Sequence, residues 1–384
     1  MSDVIGRLVD DRAVVTTMMR AATGRPRADL AGGVQVDSVP VVSMTTGALA
    51  RVRGDFADGG ETGAWSVIVK VVHSPDRSPI WAQIPPEFHE ITLAEIPWRT
   101  EPELYGSALR DLLPAGLRLP AVYSVDEIDN GATAIWMEAV VQVDGPWTLA
   151  DHRRVGYLLG RLAGRFPESA DAAPLPLRRR DLRHYFFGRV SSAVLPALRD
   201  DAVWAHPLVA PVVDADLRRD LHALADAAPA ILDRVDALPR TLVHGDACPQ
   251  NLLRGVDGDV VAIDWQFPGW CAVGFDVGQL IAGHAESGDL APADLEAAYA
   301  GAIEEYTKGL HDEGMTVSAD DVVQGAAGAL IIRSTFTAVP LEFLDVEPAA
   351  DLVRLFSRRA RFARFLLNLA HAHFPFSRRR DAAV

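Results

Sequence analysis

Lysine is nearly missing from this 384-residue chain: Lys70 and Lys308 stand against 35 arginines. Arginine serves wherever a generic positive charge will do, so a lysine inside an apolar segment is marked for a task suited to a compact ammonium. Cysteine is as scarce, with Cys248 and Cys271 alone, which excludes a disulfide framework and a four-cysteine metal site. Basic surplus is absent too. A formal net charge of −15 and a pI near 5.1 exclude the electrostatic footprint of non-specific nucleic-acid binding. The start carries no basic segment followed by an apolar one, and no uninterrupted apolar stretch has bilayer length. The expectation is a cytoplasmic protein with no nucleic-acid partner and no membrane, monomer or homodimer. Internal repeats and low-complexity linkers are also missing, and 49% hydrophobic residues over this length support a large core divided into two lobes.

What is present is Leu242-Val-His-Gly-Asp-Ala-Cys-Pro-Gln-Asn251 followed by Val261-Ala-Ile-Asp-Trp265. This places Asp246, Asn251 and Asp264 at the spacing of a phosphoryl-transfer site. Moving a γ-phosphoryl group to a hydroxyl is mostly positioning and charge neutralisation. Asp246 would accept the proton of the attacking hydroxyl. Asn251, past Pro249 in a bent loop, offers an amide oxygen of the kind Mg²⁺ takes, and Asp264 an anionic one. Thr241 to Val243, Leu252 to Arg254 and Val260 to Ile263 read as short strands, with Val256-Asp-Gly-Asp259 as a hairpin turn.

These segments resemble the aminoglycoside phosphotransferase and choline kinase family, whose members share the protein-kinase fold. The resemblance covers residues from about 40 to about 340 and is specific only around Lys70 and from His244 to Asp276. It implies an α+β, two-lobed protein-kinase-like fold with a small antiparallel-sheet N-lobe and a larger, mainly helical C-lobe. The expected division is 1–137, a nucleotide-binding lobe with an N-terminal helical extension, and 138–384, carrying the catalytic loop and the acceptor site. It further implies ATP, or GTP, as donor, Mg²⁺ as cofactor, and a hydroxylated small-molecule acceptor.

Lys70 lies toward the end of the β-branched run Trp65-Ser-Val-Ile-Val-Lys-Val-Val72, which reads as a buried strand, and a lysine reaching inward from it suits the α- and β-phosphates. The family's partner glutamate implies Glu101, with Glu103 as the alternative, on a helix read over Trp98 to Leu113. Val39 to Arg53 reads as strand, loop and strand, with Thr45 and Thr46 contacting phosphate or merely turning a hairpin. Ala132 to Val141 reads as a strand running into the family's hinge, where main-chain groups of Glu138 and Val140 would bind adenine. His244 and Asp276 are expected to support the catalytic loop, Asp276 alternatively as a helix N-cap.

Elsewhere, residues 8–22 read as a helix, 23–33 as a loop, and Leu119 to Val125 as a strand. Helical spacing marks Leu149 to Phe166, Leu182 to Leu198, Leu217 to Leu238, Ala291 to Leu310, Val322 to Thr337 and Leu352 to His373. Arg178-Arg-Arg180 reads as a solvated face, Cys271 as a loop residue, and 377–384 as a tail. For the acceptor, Glu286 and Asp289 are candidates for amino groups, and Trp265 and Trp270 for stacking on a sugar. Aminoglycosides, amino sugars and related hydroxylated compounds are the candidate acceptors. The alternative is a catalytically inactive nucleotide-binding regulatory protein of the same fold.

Overall fold

Long β-branched runs in the first 140 residues pair into one five-stranded antiparallel sheet. In the computed structural model, residues 2–41, 43–129, 131–168, 175, 177, 182–339, 341–344 and 346–374 are described. The strands are β1 Asp29–Ser38, β2 Thr46–Asp58, β3 Glu61–His73, β4 Leu117–Arg118, β5 Val122–Asp129, β6 Ala132–Glu138, β7 Arg240–Val243, β8 Leu252–Arg254, β9 Val260–Ala262 and β10 Gly269–Ala272. The chain forms two compact units, Met1–Val143 with Leu253–Gln266, and Asp144–Leu252 with Phe267–Val384. The sequence places a division after Met137; the chain passes into the second unit after Val143 and returns to the first for residues 253–266.

In the first unit the large sheet has the order β1-β2-β3-β6-β5, and a second sheet the order β4-β9-β8. The helices are α1 Ser2–Asp10, α2 Arg12–Thr23, α3 His89–Glu95, α4 Thr100–Tyr105 and α5 Leu109–Leu112. The core lies between the first two helices and the sheet, where Val15, Met18 and Met19 pack with Val52, Val67, Val69 and Trp136. The helix expected over 8–22 is two helices, because the Asp11 carboxylate accepts from the amides of Ala13 and Val14 and starts a new one. The loop expected over 23–33 gives way to β1 at Asp29; the register shifts between Ala31 and Gln35, where Gly32 has φ 99°. Pro120 separates β4 from β5, so Leu119 to Val125 is not one strand. The helix expected over Trp98 to Leu113 breaks at Gly106 into α4 and α5.

The second unit is built from α6 Leu149–Arg165, α7 Leu182–Tyr185, α8 Leu195–Leu198, α9 Asp201–Trp204, α10 Ala215–Asp236, α11 Phe275–Ser287, α12 Leu295–Asp312, α13 Ala319–Ser334 and α14 Ala350–His373, with β7 paired to β10. Between α7 and α8 the backbone winds as a π-helix over Phe186–Val194. Cys271 lies buried on β10, a strand and not the expected loop. The arginine-rich α14 buries Phe356, Phe362 and Leu366, and its Ala360, Ala363, Leu367 and Ala370 join the core of this unit. Ala319–Phe343 has the length and apolarity of a bilayer span, and 78% of its most apolar window is buried inside the protein. The readings of Arg178 to Arg180 and of the tail 377–384 fall outside the described residues.

Candidate phosphoryl-transfer site

In the first unit, Lys70 sits on β3, the middle strand of the large sheet, between Leu49 and Ile135. Its ammonium donates to Glu101 Oε2 at 2.6 Å and to Asp264 Oδ1 at 2.8 Å. Glu101 is 2% exposed and also accepts from the Tyr105 hydroxyl, one turn along α4, at 3.1 Å. Burial works to discharge Lys70, and the charges of Glu101 and Asp264 overcome it, holding the ammonium above the ordinary lysine range. Of the two acids read as possible partners, Glu101 is the one the Lys70 ammonium meets.

Asp264 follows β9 with φ 59°, the one non-glycine residue in the left-handed region among the described residues. Such a conformation costs about 1–3 kcal/mol and persists only where neighbours impose it. Trp265 imposes it from one side, fully buried with its indole N–H on the Ala262 carbonyl at 3.0 Å. Gln266 does so from the other, donating to Thr45 Oγ1 at 2.6 Å. Trp265 is thus a core residue and offers no face to a sugar. Thr45 is buried and engaged internally, since its N–H goes to Ser43 Oγ and its carbonyl accepts from His73 N–H. The Thr46 N–H also goes to Ser43 Oγ, and Thr46 opens β2 opposite Val72. Val140 is buried. Glu138 spends its N–H on the Ala121 carbonyl and its carboxylate on Arg118.

In the second unit, β7 runs into the loop from His244 to Asn251. Gly245 has φ 85°, and a Cβ there would stand 1.8 Å from the Phe267 carbonyl oxygen, so only glycine makes this turn. Asp276, the second residue of α11, is buried and accepts from the amides of His244 at 2.7 Å and Gly245 at 3.0 Å. Burial pushes its carboxyl up, opposed by His244, the two amides and Arg333. It is not the N-cap; Gly274, at φ 86°, occupies that position. Asp276 instead fixes the backbone that carries Asp246.

Both carboxylate oxygens of Asp246 are held. Asn251 Nδ2 donates to Oδ2 at 3.1 Å and to the Asp246 carbonyl at 3.0 Å, which commits the amide nitrogen to Asp246. Gln279 Nε2 donates to Oδ1 at 2.9 Å, and Arg333 Nη2 lies 3.4 Å from the same oxygen. Arg333 Nη1 also donates to the Gly245 carbonyl at 2.9 Å, with its guanidinium over the rings of Tyr185 at 5.0 Å and Phe275 at 5.6 Å. The sequence reading missed both. Gln279 stands one turn after Asp276 and was within reach of an i,i+3 argument; Arg333 carries no local signal. Asp289 is exposed and accepts from Ser287, whereas Glu286 lines a cavity of about 270 Å³ together with Gln279 and Arg333. Trp270 is half-buried on β10 opposite Leu242.

The profile of the phosphotransferase enzyme family (APH) matches residues 91–310. Comparison with curated proteins finds no match. Among solved structures, amicoumacin kinase hAmiN in complex with AMP-PNP, Ca²⁺ and Ami is similar at 13% identity and a TM-score of 0.51, over 96% of each chain. Spectinomycin phosphotransferase APH(9)-Ia in complex with ADP and spectinomycin gives 12% identity and a TM-score of 0.49, over 94% of this chain and 97% of that one. Macrolide 2′-phosphotransferase MphH from Brachybacterium faecium gives 14% and 0.43, over 89% and 97%. At these identities the likeness to hAmiN shows the fold, that of protein-kinase-like phosphotransferases.

Proposed function

We propose, from the premise that this chain belongs to the phosphotransferase enzyme family and is a small-molecule kinase, that it moves the γ-phosphoryl group of ATP to a hydroxyl of a small acceptor. The observation that carries this reading is Lys70 held by Glu101 and Asp264 in a chain with 35 arginines and one other lysine, Lys308. The first unit is the nucleotide-holding part and the second the acceptor-holding part.

The donor set suits Mg²⁺. Among the described residues no three His, Cys, Asp or Glu side chains gather, and Mg²⁺ takes one or two protein oxygens together with substrate phosphates. Asp264 and Asn251 would hold it. When bound, the cation neutralises charge on the β- and γ-phosphates. Lys70 adds a fixed ammonium for the phosphates, and Glu101 keeps it aimed. Asp246, oriented through both oxygens, accepts the acceptor's hydroxyl proton as that oxygen bonds to phosphorus and ADP leaves.

Asp246→Asn should leave MgATP affinity within a few-fold and lower transfer by about 10²–10⁴-fold. Asp264→Asn should weaken both. The measurement is product formation by mass spectrometry on a panel of hydroxylated small molecules, with nucleotide affinity by calorimetry. Wild-type turnover by Asp246→Asn would remove Asp246 from its assigned role.

A further inference from the structure

Lys70, Glu101, Tyr105 and Asp264, all in the first unit, close into a circuit of hydrogen bonds. Lys70 donates to Oε2 of Glu101 at 2.6 Å and to Oδ1 of Asp264 at 2.8 Å. The Tyr105 hydroxyl donates to the other oxygen of Glu101, Oε1, at 3.1 Å. The same hydroxyl hydrogen-bonds the backbone of Asp264. Its one proton is spent on Glu101, so toward Asp264 it accepts, and the only donor a backbone has is its N–H. We infer that Tyr105 is a positioning residue of this site: its hydroxyl closes the circuit from Glu101 to Asp264 and so fixes the phosphate-holding ammonium and the metal-holding carboxylate relative to each other. This inference rests on the phosphotransferase reading and deepens it.

The circuit answers two needs that the Lys70 contacts leave open. A carboxylate held through one oxygen still turns about its last torsion, which is broad. Tyr105 takes the second oxygen of Glu101, and the plane of that carboxylate is then set. Asp264 is the second case, because its φ of 59° has to be imposed. Trp265 and Gln266 hold the residues after it, whereas Tyr105 holds its own N–H. Glu101 and Tyr105 stand four residues apart on α4, so the helix itself brings the hydroxyl alongside the carboxylate. A phenylalanine would fill the same buried space and could do neither task.

Electrostatics act in the same direction. Burial pushes the Tyr105 hydroxyl well above its ordinary range, and the charges of Glu101 and Asp264 push it further, so its proton stays available to Glu101. Burial also pushes the Glu101 carboxyl up, against the charge of Lys70 and the hydrogen bonds from Lys70 and Tyr105. Loss of the hydroxyl therefore brings Glu101 nearer to neutral and weakens its hold on Lys70.

Tyr105→Phe removes the hydroxyl and keeps the aromatic ring. Calorimetry with ATP, with and without Mg²⁺, should show MgATP affinity reduced about tenfold, the size expected when buried groups lose a partner, and a smaller gain on adding the metal. An N-hydroxysuccinimide ester should acylate Lys70 about fivefold faster than in the wild type, with Lys308 unchanged as the internal reference. Packing alone would not move that rate. Combined with Glu101→Gln, the substitution should cost less than the product of the two separate effects, because each opens the same circuit. Thermal unfolding establishes that the variants fold. The unsubstituted protein supplies a reading that does not depend on it: the Asp264 amide, followed by hydrogen exchange at single-residue resolution, should exchange about a hundredfold slower than in the unfolded chain. Undiminished Mg²⁺ dependence with wild-type labelling of Lys70, losses that multiply with Glu101→Gln, or exchange of the Asp264 amide at the unfolded-chain rate would each overturn the inference. If the unsubstituted protein fails to bind MgATP, it is the phosphotransferase reading that falls, while the labelling and the exchange still decide whether Tyr105 closes the circuit.

Discussion

Glu138 accepts two hydrogen bonds from the Arg118 guanidinium, at 2.7 and 2.9 Å, and a third from the Ala121 N–H at 3.0 Å. Arg118 extends the pairing to Asp257 in the turn before β9, the strand that leads to Asp264. The carboxylate therefore ties the end of β6 to the hairpin that presents Asp264. Hydrogen bonding to Arg118, set against burial, holds the Glu138 carboxyl below its ordinary range. The sign follows: the contribution is fully present above the unfolded carboxylate value of about 4.3 and is lost as pH falls through the lower folded value. Glu138→Gln should cost about 1–2 kcal/mol at pH 7, with a difference from wild type that shrinks as pH falls through the acid range, measured by urea unfolding. A difference independent of pH would mean that the carboxylate charge does not contribute. At the same scale, Gly245 was legible in the sequence because the His-Gly-Asp order marks it. The left-handed backbone of Asp264 was not, because its cause lies in Trp265 and Gln266 packing on either side.

Helices α6 and α12 meet through glycine. A Cβ on Gly160 would lie 2.1 Å from the Tyr306 carbonyl oxygen, and one on Gly309 would lie 2.3 Å from that of Tyr157. Backbone thus touches backbone where any side chain would force the helices apart. Gly160→Ala gains about 1 kcal/mol of helix propensity and should still be destabilising by about 1–3 kcal/mol through overpacking. Gly6→Ala in α1, with nothing within 4 Å of the new Cβ, should be neutral to stabilising. Thermal unfolding of the pair separates the two terms, and equal behaviour would deny the close packing. Helical periodicity made α6, α10, α12 and α14 readable because their buried faces are wide and regular. It could not show β1, an edge strand whose residues are mostly exposed and whose pairing is supplied by β2. Nor could it show the π-helical winding after α7, since apolar spacing over nine residues does not distinguish the two helix types.

Across the whole chain, the choice of arginine over lysine leaves two side-chain amines in opposite circumstances. Lys308 is exposed on α12, its ammonium 5.4 Å from the Tyr157 ring centroid. Lys70 has a side chain 9% exposed and two carboxylate partners. Acylating reagents attack only the unprotonated amine, so Lys70 is shielded by burial and again by the carboxylates that hold its proton. An N-hydroxysuccinimide ester at pH 8 should therefore modify Lys308 at least tenfold faster than Lys70, read by peptide mass spectrometry. Asp264→Asn removes one of the two anions and should raise the Lys70 rate without changing that of Lys308. Denaturation in urea should bring the two rates together. Equal rates in the folded protein would mean that Lys70 is neither buried nor ion-paired in solution, and the assignment of the phosphate-holding charge would move to another residue.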